Sequence, residues 1–129
     1  MVIDSSALLA VFLKEPEAHQ FAAAVAATDT RLLPCTAALE VAMVVGARHG
    51  DAGLREVDLS ILDNRLEIVP FTADHYRIAR DAWLRYGKGR HPARLNFGDC
   101  CAYATAMLAG EPLLFKGADF AQTDVEPAI

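Results

Sequence analysis

The chain has 129 residues, 53% of them apolar, and a formal net charge of −5. That length and composition predict one domain over residues 1–129 with a buried core, and exclude a disordered tail. The acidic balance speaks against non-specific nucleic-acid binding. The three unspaced cysteines speak against a disulfide scaffold or a zinc site, and read instead as small buried apolar residues.

Met1 to Asp4 reads as a buried strand. Ser5 or Ser6 is placed to cap a helix through about Leu13, and Pro16 suits the first turn of an alanine-rich helix over about Glu17 to Ala27. Arg31 to Pro34 is a short strand. Thr36 is placed to cap a helix through Arg48 that stops at Gly50, and a second helix over Ala52 to Asn64 offers Leu54, Val57, Leu59, Ile61 and Leu62 as its apolar face. Leu66 to Phe71 is a strand. Thr72 begins a helix to Tyr86 with Tyr76, Ile78, Ala79 and Trp83 as inward candidates. Gly87 to Asn96 is a loop broken by glycines and Pro92. A helix over Phe97 to Leu108 ends at Gly110, a strand covers Pro112 to Phe115, and a short element follows over Phe120 to Val125.

Short apolar strands alternating with helices predict an α/β fold, a parallel sheet covered on both faces. Ligands in such folds bind beyond the carboxyl ends of the strands. The opening apolar run is too short to span a bilayer and no basic residue precedes it, so a cytoplasmic protein without signal peptide or membrane helix is expected.

Four carboxylates stand alone among apolar residues. Asp4 is the only charge in MVIDSSALLAVFL, Glu40 the only one in LPCTAALEVAMVVGA, and Asp99 the only one in LNFGDCCAYATAMLAG; Asp119 follows the apolar PLLF. An unpaired carboxylate in low dielectric costs several kcal/mol or takes up a proton. A hard divalent cation shared among them removes that cost, since Mg²⁺ takes oxygen ligands. Fold logic brings the four to one end of the sheet. Each also has a plain structural reading: Asp4 and Asp99 as helix caps, Glu40 reaching solvent, Asp119 in a turn. Between Trp83 and Gly98 there is no acid, whereas Arg85, Lys88, Arg90, His91 and Arg94 are all present. That stretch is either an ordinary solvated loop or a contact surface for phosphates. No phosphate-binding glycine loop and no GxSxG motif occurs, and the four histidines have no ligand spacing.

VIDSSAL at the start, LEVAMV around Glu40, RLNFGDCCAYATA around Asp99 and LLFKGADFAQTDV near the end resemble, in order and across almost the whole chain, the PIN-domain ribonucleases, specifically the VapC type of toxin from bacterial toxin–antitoxin pairs. The resemblance implies a PIN-like, Rossmann-like sheet of four to five parallel strands, in one PIN domain over 1–129. It implies an endoribonuclease using Mg²⁺, with Mn²⁺ as a substitute, a VapB-type antitoxin as partner, and a homodimer. Antitoxins of this kind place a C-terminal segment over the acidic groove. Asp4 and Asp99 are then the primary metal ligands. Glu40 binds through water or positions the attacking water, and Asp119 serves a second ion or the water shell, with Ser6 and Thr36 as supporting hydroxyls. Many relatives carry an acid or amide where this chain has Ala118, which leaves the fourth position open between Asp119 and Asp124. Two other readings stay open: a silent PIN-fold interaction module, and a metal-dependent nuclease or phosphatase with a non-RNA substrate.

Overall fold

Each apolar run is followed by enough helical chain to return to the same end of the sheet, and that geometry makes neighbouring strands parallel. The computed structural model describes every residue, Met1–Ile129. β1 (Val2–Ile3) leads to α1 (Ser5–Phe12) and α2 (Ala18–Ala26); β2 (Leu32–Pro34) leads to α3 (Cys35–Asp63). β3 (Glu67–Val69) leads to α4 (Ala73–Tyr86) and α5 (Phe97–Ala109), and β4 (Leu113–Leu114) precedes a 3₁₀ turn at Phe120–Gln122. The strand order is β3-β2-β1-β4, all parallel. An isolated bridge between Leu113 and Pro127 adds the stub of a fifth strand at the β4 edge. No helix is long and apolar enough to cross a membrane.

Side-chain alternation divides the core into two layers. Ile3, Leu33 and Leu114 pack with Ala7, Phe21, Val41 and Val45 from α1–α3. Val2 and Leu113 pack with Ala79, Ala82 and the small residues of α5. Cys100 through Ala106 are all buried, as a helix covered by both sheet and α4 requires. Because β1 has β2 on one side and β4 on the other, the chain's direction of winding switches between β1 and β4. In open parallel sheets such a switch point is where a crevice forms beyond the carboxyl ends of the two strands.

The predicted elements are present with shorter strands, and four local readings change. Asp4, not Ser5 or Ser6, caps α1: its side chain accepts from Ser6 N. Thr36 caps nothing, because α3 starts one residue earlier and Pro34 occupies the cap position without a side-chain bond. Gly50 does break the helix, at φ 62° and ψ −152°, a conformation that favours glycine. Beyond that kink the inward stripe is Gly53, Val57 and the half-buried Ile61, whereas Leu54, Leu59 and Leu62 face outward, Leu62 at 72% exposure. On α4 the buried face is His75, Ala79 and Ala82, with Ile78 partly buried; Tyr76 and Trp83 face outward at 58% and 45%. Alanines allow α4 to approach α5 closely, and Tyr76 and Trp83 are left at the open margin of that contact.

Gly53 is where the second half of α3 passes closest to the first. A Cβ there would stand 2.7 Å from His49 Cβ and 3.0 Å from the Val45 carbonyl oxygen. Gly53→Ala is therefore expected to lower the melting temperature, although alanine is the better helix former by about 1 kcal/mol, because overpacking costs about 1–3 kcal/mol. Thermal unfolding followed by circular dichroism measures this, and a raised melting temperature would contradict the close packing.

Candidate metal centre

Asp4 is the first residue after β1, so the sheet itself delivers its carboxylate to the crevice. The side chain is 3% exposed. Its Oδ2 accepts from Ser6 N at 3.0 Å and from Ser6 Oγ at 2.5 Å. Ser6 Oγ in turn accepts from Lys116 N at 3.0 Å, just past β4. One hydroxyl thus ties the ends of the two strands that flank the crevice and holds Asp4 in a fixed orientation. Burial raises the Asp4 pKa from 3.8 to about 6, opposed by the Ser6 bonds and reinforced by the charges of Asp99 and Glu40.

Asp99 sits in the first turn of α5 within a reciprocal cap. Asn96 Oδ1 accepts from Asp99 N at 2.9 Å, and Asp99 Oδ2 accepts from Asn96 N at 2.8 Å. Its other oxygen makes no hydrogen bond within the chain. Burial raises its pKa too, against the Asn96 bond, and the charges of Asp119 and Glu40 add to the rise. Glu40 lies in the second turn of α3 and reaches α5 at Gly98, where a Cβ would stand 3.1 Å from Glu40 Oε2. The missing side chain at Gly98 leaves room for that carboxylate.

The four sequence-predicted acids therefore face one another electrostatically. Asp4 feels Asp99 and Glu40; Asp99 feels Glu40 and Asp119. They descend from exposed Glu40 and Asp119 at the rim, through half-buried Asp99, to buried Asp4 at the floor. None of them is in an ion pair, although the chain makes such pairs elsewhere. Lys116, three residues before Asp119, turns its ammonium to Glu15 and Glu17 instead, at 2.6 and 3.2 Å. No three of the Asp, Glu, His and Cys side chains are drawn together into a ligand set. The donor chemistry still fits a hard divalent cation: an oxygen-only set, a buried carboxylate without a basic partner, and a glycine that clears space for Glu40.

The supporting residues sort differently from expectation. Ser6 holds Asp4 as expected. Thr36 borders a groove of about 440 Å³ that also touches Glu40, Asn96 and Gly98. Asp124 is engaged away from the cluster, accepting from Tyr103 Oη at 2.6 Å and from Arg85 at 3.0 Å. Its pKa is lowered by those two bonds. Tyr103 is thus a core residue with its hydroxyl tied to the C-terminal segment. Asn96 is the functional residue that sequence reading passed over, and its signal was present: an Asn three residues before an Asp is a capping-box spacing.

The PIN domain family model matches residues 1–126. The chain belongs to the PIN-domain family. Its full-length relatives place it in the VapC ribonuclease branch. It is 49% identical over 125 residues to ribonuclease VapC30 of Mycobacterium tuberculosis, covering 97% of this chain and 95% of that one. It is 47% identical to the ribonuclease VapC of Mycolicibacterium smegmatis, covering 97% of each. Among solved structures, this PIN domain superposes on M. tuberculosis VapC20, described as a sarcin-ricin loop cleaving toxin, with a TM-score of 0.75 at 17% identity over 98% of both chains. It superposes on a chain of a toxin–antitoxin complex from Klebsiella pneumoniae with a TM-score of 0.74 at 20% identity, over 95% of this chain and 92% of that one. Those two likenesses establish the fold. VapC ribonucleases of the PIN family depend on divalent metal ions, in agreement with the donor set described above.

Proposed function

We propose that this PIN domain is a Mg²⁺-dependent endoribonuclease, the toxin of a VapB–VapC pair, acting in the cytoplasm on RNA phosphodiester bonds. The observation that carries the reading is the set of mutually coupled, unpaired carboxylates at the β1–β4 crevice. The names of full-length relatives point the same way.

Asp4 and Asp99 are the primary ligands, each with one oxygen tied to its own cap and the other free. Glu40 positions the attacking water, and Asp119 completes the water shell or holds a second ion. A divalent cation held there would supply an activated water and neutralise charge on the phosphoryl oxygens. Ser6 and Asn96 act earlier, by fixing the carboxylates before substrate arrives, so that little reorganisation is left for the reaction itself.

The loop between α4 and α5 supports an RNA substrate. Two backbone bonds close its neck, Lys88 N to Leu95 O and Leu95 N to Tyr86 O. Lys88, Arg90, His91 and Arg94 line a shallow cleft on it. Arg85 does not join them, because it is paired with Asp124. The loop ends at Asn96, the residue that caps Asp99, so phosphates bound along it lead to the carboxylates. Exposed Leu39, Met43 and Leu54 line a further groove on α3 and support a homodimer through that helix. The cognate antitoxin would cover the acidic crevice with a segment carrying a basic residue.

The test compares internal cleavage of RNA, cleavage of single-stranded DNA and hydrolysis of a small phosphate ester, each with Mg²⁺ and with EDTA. RNA is expected to be cut only with the metal and far faster than the other two. Preferential hydrolysis of the ester, or RNA cleavage undiminished by EDTA, would overturn the assignment.

A further inference from the structure

A cavity of about 450 Å³ with mostly apolar walls lies between α4 and α5. Its walls include Phe71, Tyr76, Trp83 and Phe97, all at least a third exposed and Phe97 at 80%. Soluble proteins seldom leave so many aromatics open without a partner. Arg80 and Lys88 stand at its edge, and Arg90 places its guanidinium 4.2 Å from the centre of the Trp83 ring.

Trp83 is held rather than free. Gly87 abuts the edge of Trp83: a Cβ there would come within 2.3 Å of the Trp83 carbonyl oxygen, 2.6 Å of Cδ1 and 3.1 Å of Nε1. The φ of Gly87 is −66°, so glycine is needed for this close approach and not for backbone conformation. With Gly87 at its edge and Arg90 stacked on the ring, the indole is fixed where it lines the cavity. Fixed aromatic planes flanked by cations bind nucleobases by stacking, and unpaired bases of RNA are read in this manner.

The charge decides the occupant. Arg80, Lys88, Arg90 and Arg94 make no ion pair with any acid of the chain. A nucleotide offers a flat apolar ring for the walls and a phosphate for the rim. Position agrees: Asn96 and Phe97 line both this cavity and the groove beside Glu40, so they form the ridge between the two.

We propose that the α4–α5 cavity stacks one unpaired nucleobase of the substrate, next to the nucleotide whose phosphate is cut, with Trp83 as its platform. The inference rests on the ribonuclease reading and adds a specificity element to it: a preference for single-stranded over paired RNA, set by Trp83 and not by the carboxylates.

Trp83 is the only tryptophan of the chain, so its fluorescence reports on the cavity directly. The experiment titrates full-length Asp4→Asn protein, with Mg²⁺ present, with short single-stranded RNA of mixed sequence and with duplex RNA of equal length. Binding is followed in parallel by anisotropy of labelled RNA. Single strands are expected to quench Trp83 emission saturably and duplexes to leave it unchanged. Trp83→Leu should weaken single-strand binding roughly 5- to 150-fold, the value of one stacked base, and Trp83→Phe should restore most of it. Emission is read on protein with Trp83 intact, so the test holds even if the leucine variant does not fold. If single-stranded RNA binds while the emission stays constant, the base pocket is refuted although the ribonuclease reading stands. If the emission follows protein concentration instead of RNA, and Trp83→Leu lowers the sedimentation coefficient, the cavity is a self-association surface and the proposal falls. If RNA neither binds nor is cleaved by the unsubstituted chain, both readings fall together.

Discussion

Asp4→Asn protein is expected to be more stable than the parent in EDTA at neutral pH, and almost inactive with Mg²⁺. The substitution keeps the cap, since asparagine serves as well as aspartate at that position, and it keeps an acceptor for Ser6. What it removes is a charge held in a buried, already acidic crevice. Burial sets the sign of the stability effect. The folded-state pKa of Asp4 is raised from 3.8 to about 6, so between those values the folded chain holds more protons than the unfolded one. The contribution of Asp4 to the stability of the metal-free parent therefore falls as pH rises from about 4 to about 6 and is constant above. The loss amounts to about 2–3 kcal/mol, and Asp4→Asn should lack it. Denaturant unfolding at pH 4, 5, 6 and 7 measures both curves. Parallel curves for parent and variant would mean that Asp4 bears no such cost. Cleavage should drop roughly a thousandfold or more, the several kcal/mol that metal-assisted charge stabilisation is worth.

The second large effect is the reverse of the first. Mg²⁺ or Mn²⁺ is expected to stabilise the parent chain, by about 2.7 kcal/mol at a concentration a hundred times the dissociation constant. It should do little for Asp4→Asn or Asp99→Asn. In saturating metal the order of melting temperatures should then narrow or invert relative to EDTA. Asp99 belongs in this test because it shares the electrostatic coupling but is only half-buried, so its own penalty without metal is smaller. Equal stabilisation of all three proteins by Mg²⁺ would show that the cation binds elsewhere. The two predictions together describe a site in which folding stability is given up for function: the crevice is poorly suited to bare carboxylates and well suited to carboxylates with a cation.

The order of elements and the acids themselves were legible because each signal was local. Asp4, Glu40 and Asp99 stand out in sequence for want of any charged neighbour, and with Asp119 they make no ion pair in the fold. Gly50 was legible as a break because few other residues adopt its φ. The support of the site was hidden where it depends on distant residues. Ser6 joins Asp4 to Lys116 N across 110 positions, and no periodicity reports such a bond. Gly98 matters for a carboxylate on another helix. The inward faces of α3 and α4 were misread for one physical reason. A hydrophobic stripe marks a surface that leaves water, and it does not say whether the core or a partner covers it. Leu54 and Leu62 on α3, and Tyr76 and Trp83 on α4, carry that ambiguity, and small residues such as Gly53 and Ala82 do the packing instead.

Calorimetric titration of Mn²⁺ into the parent chain, Asp4→Asn and Asp99→Asn is the most direct test of the carboxylate crevice as a cation site. Saturable binding to the parent, lost in both folded variants, is the expected result. Undiminished binding in both variants, or no binding to a parent chain that still cleaves RNA, would contradict it.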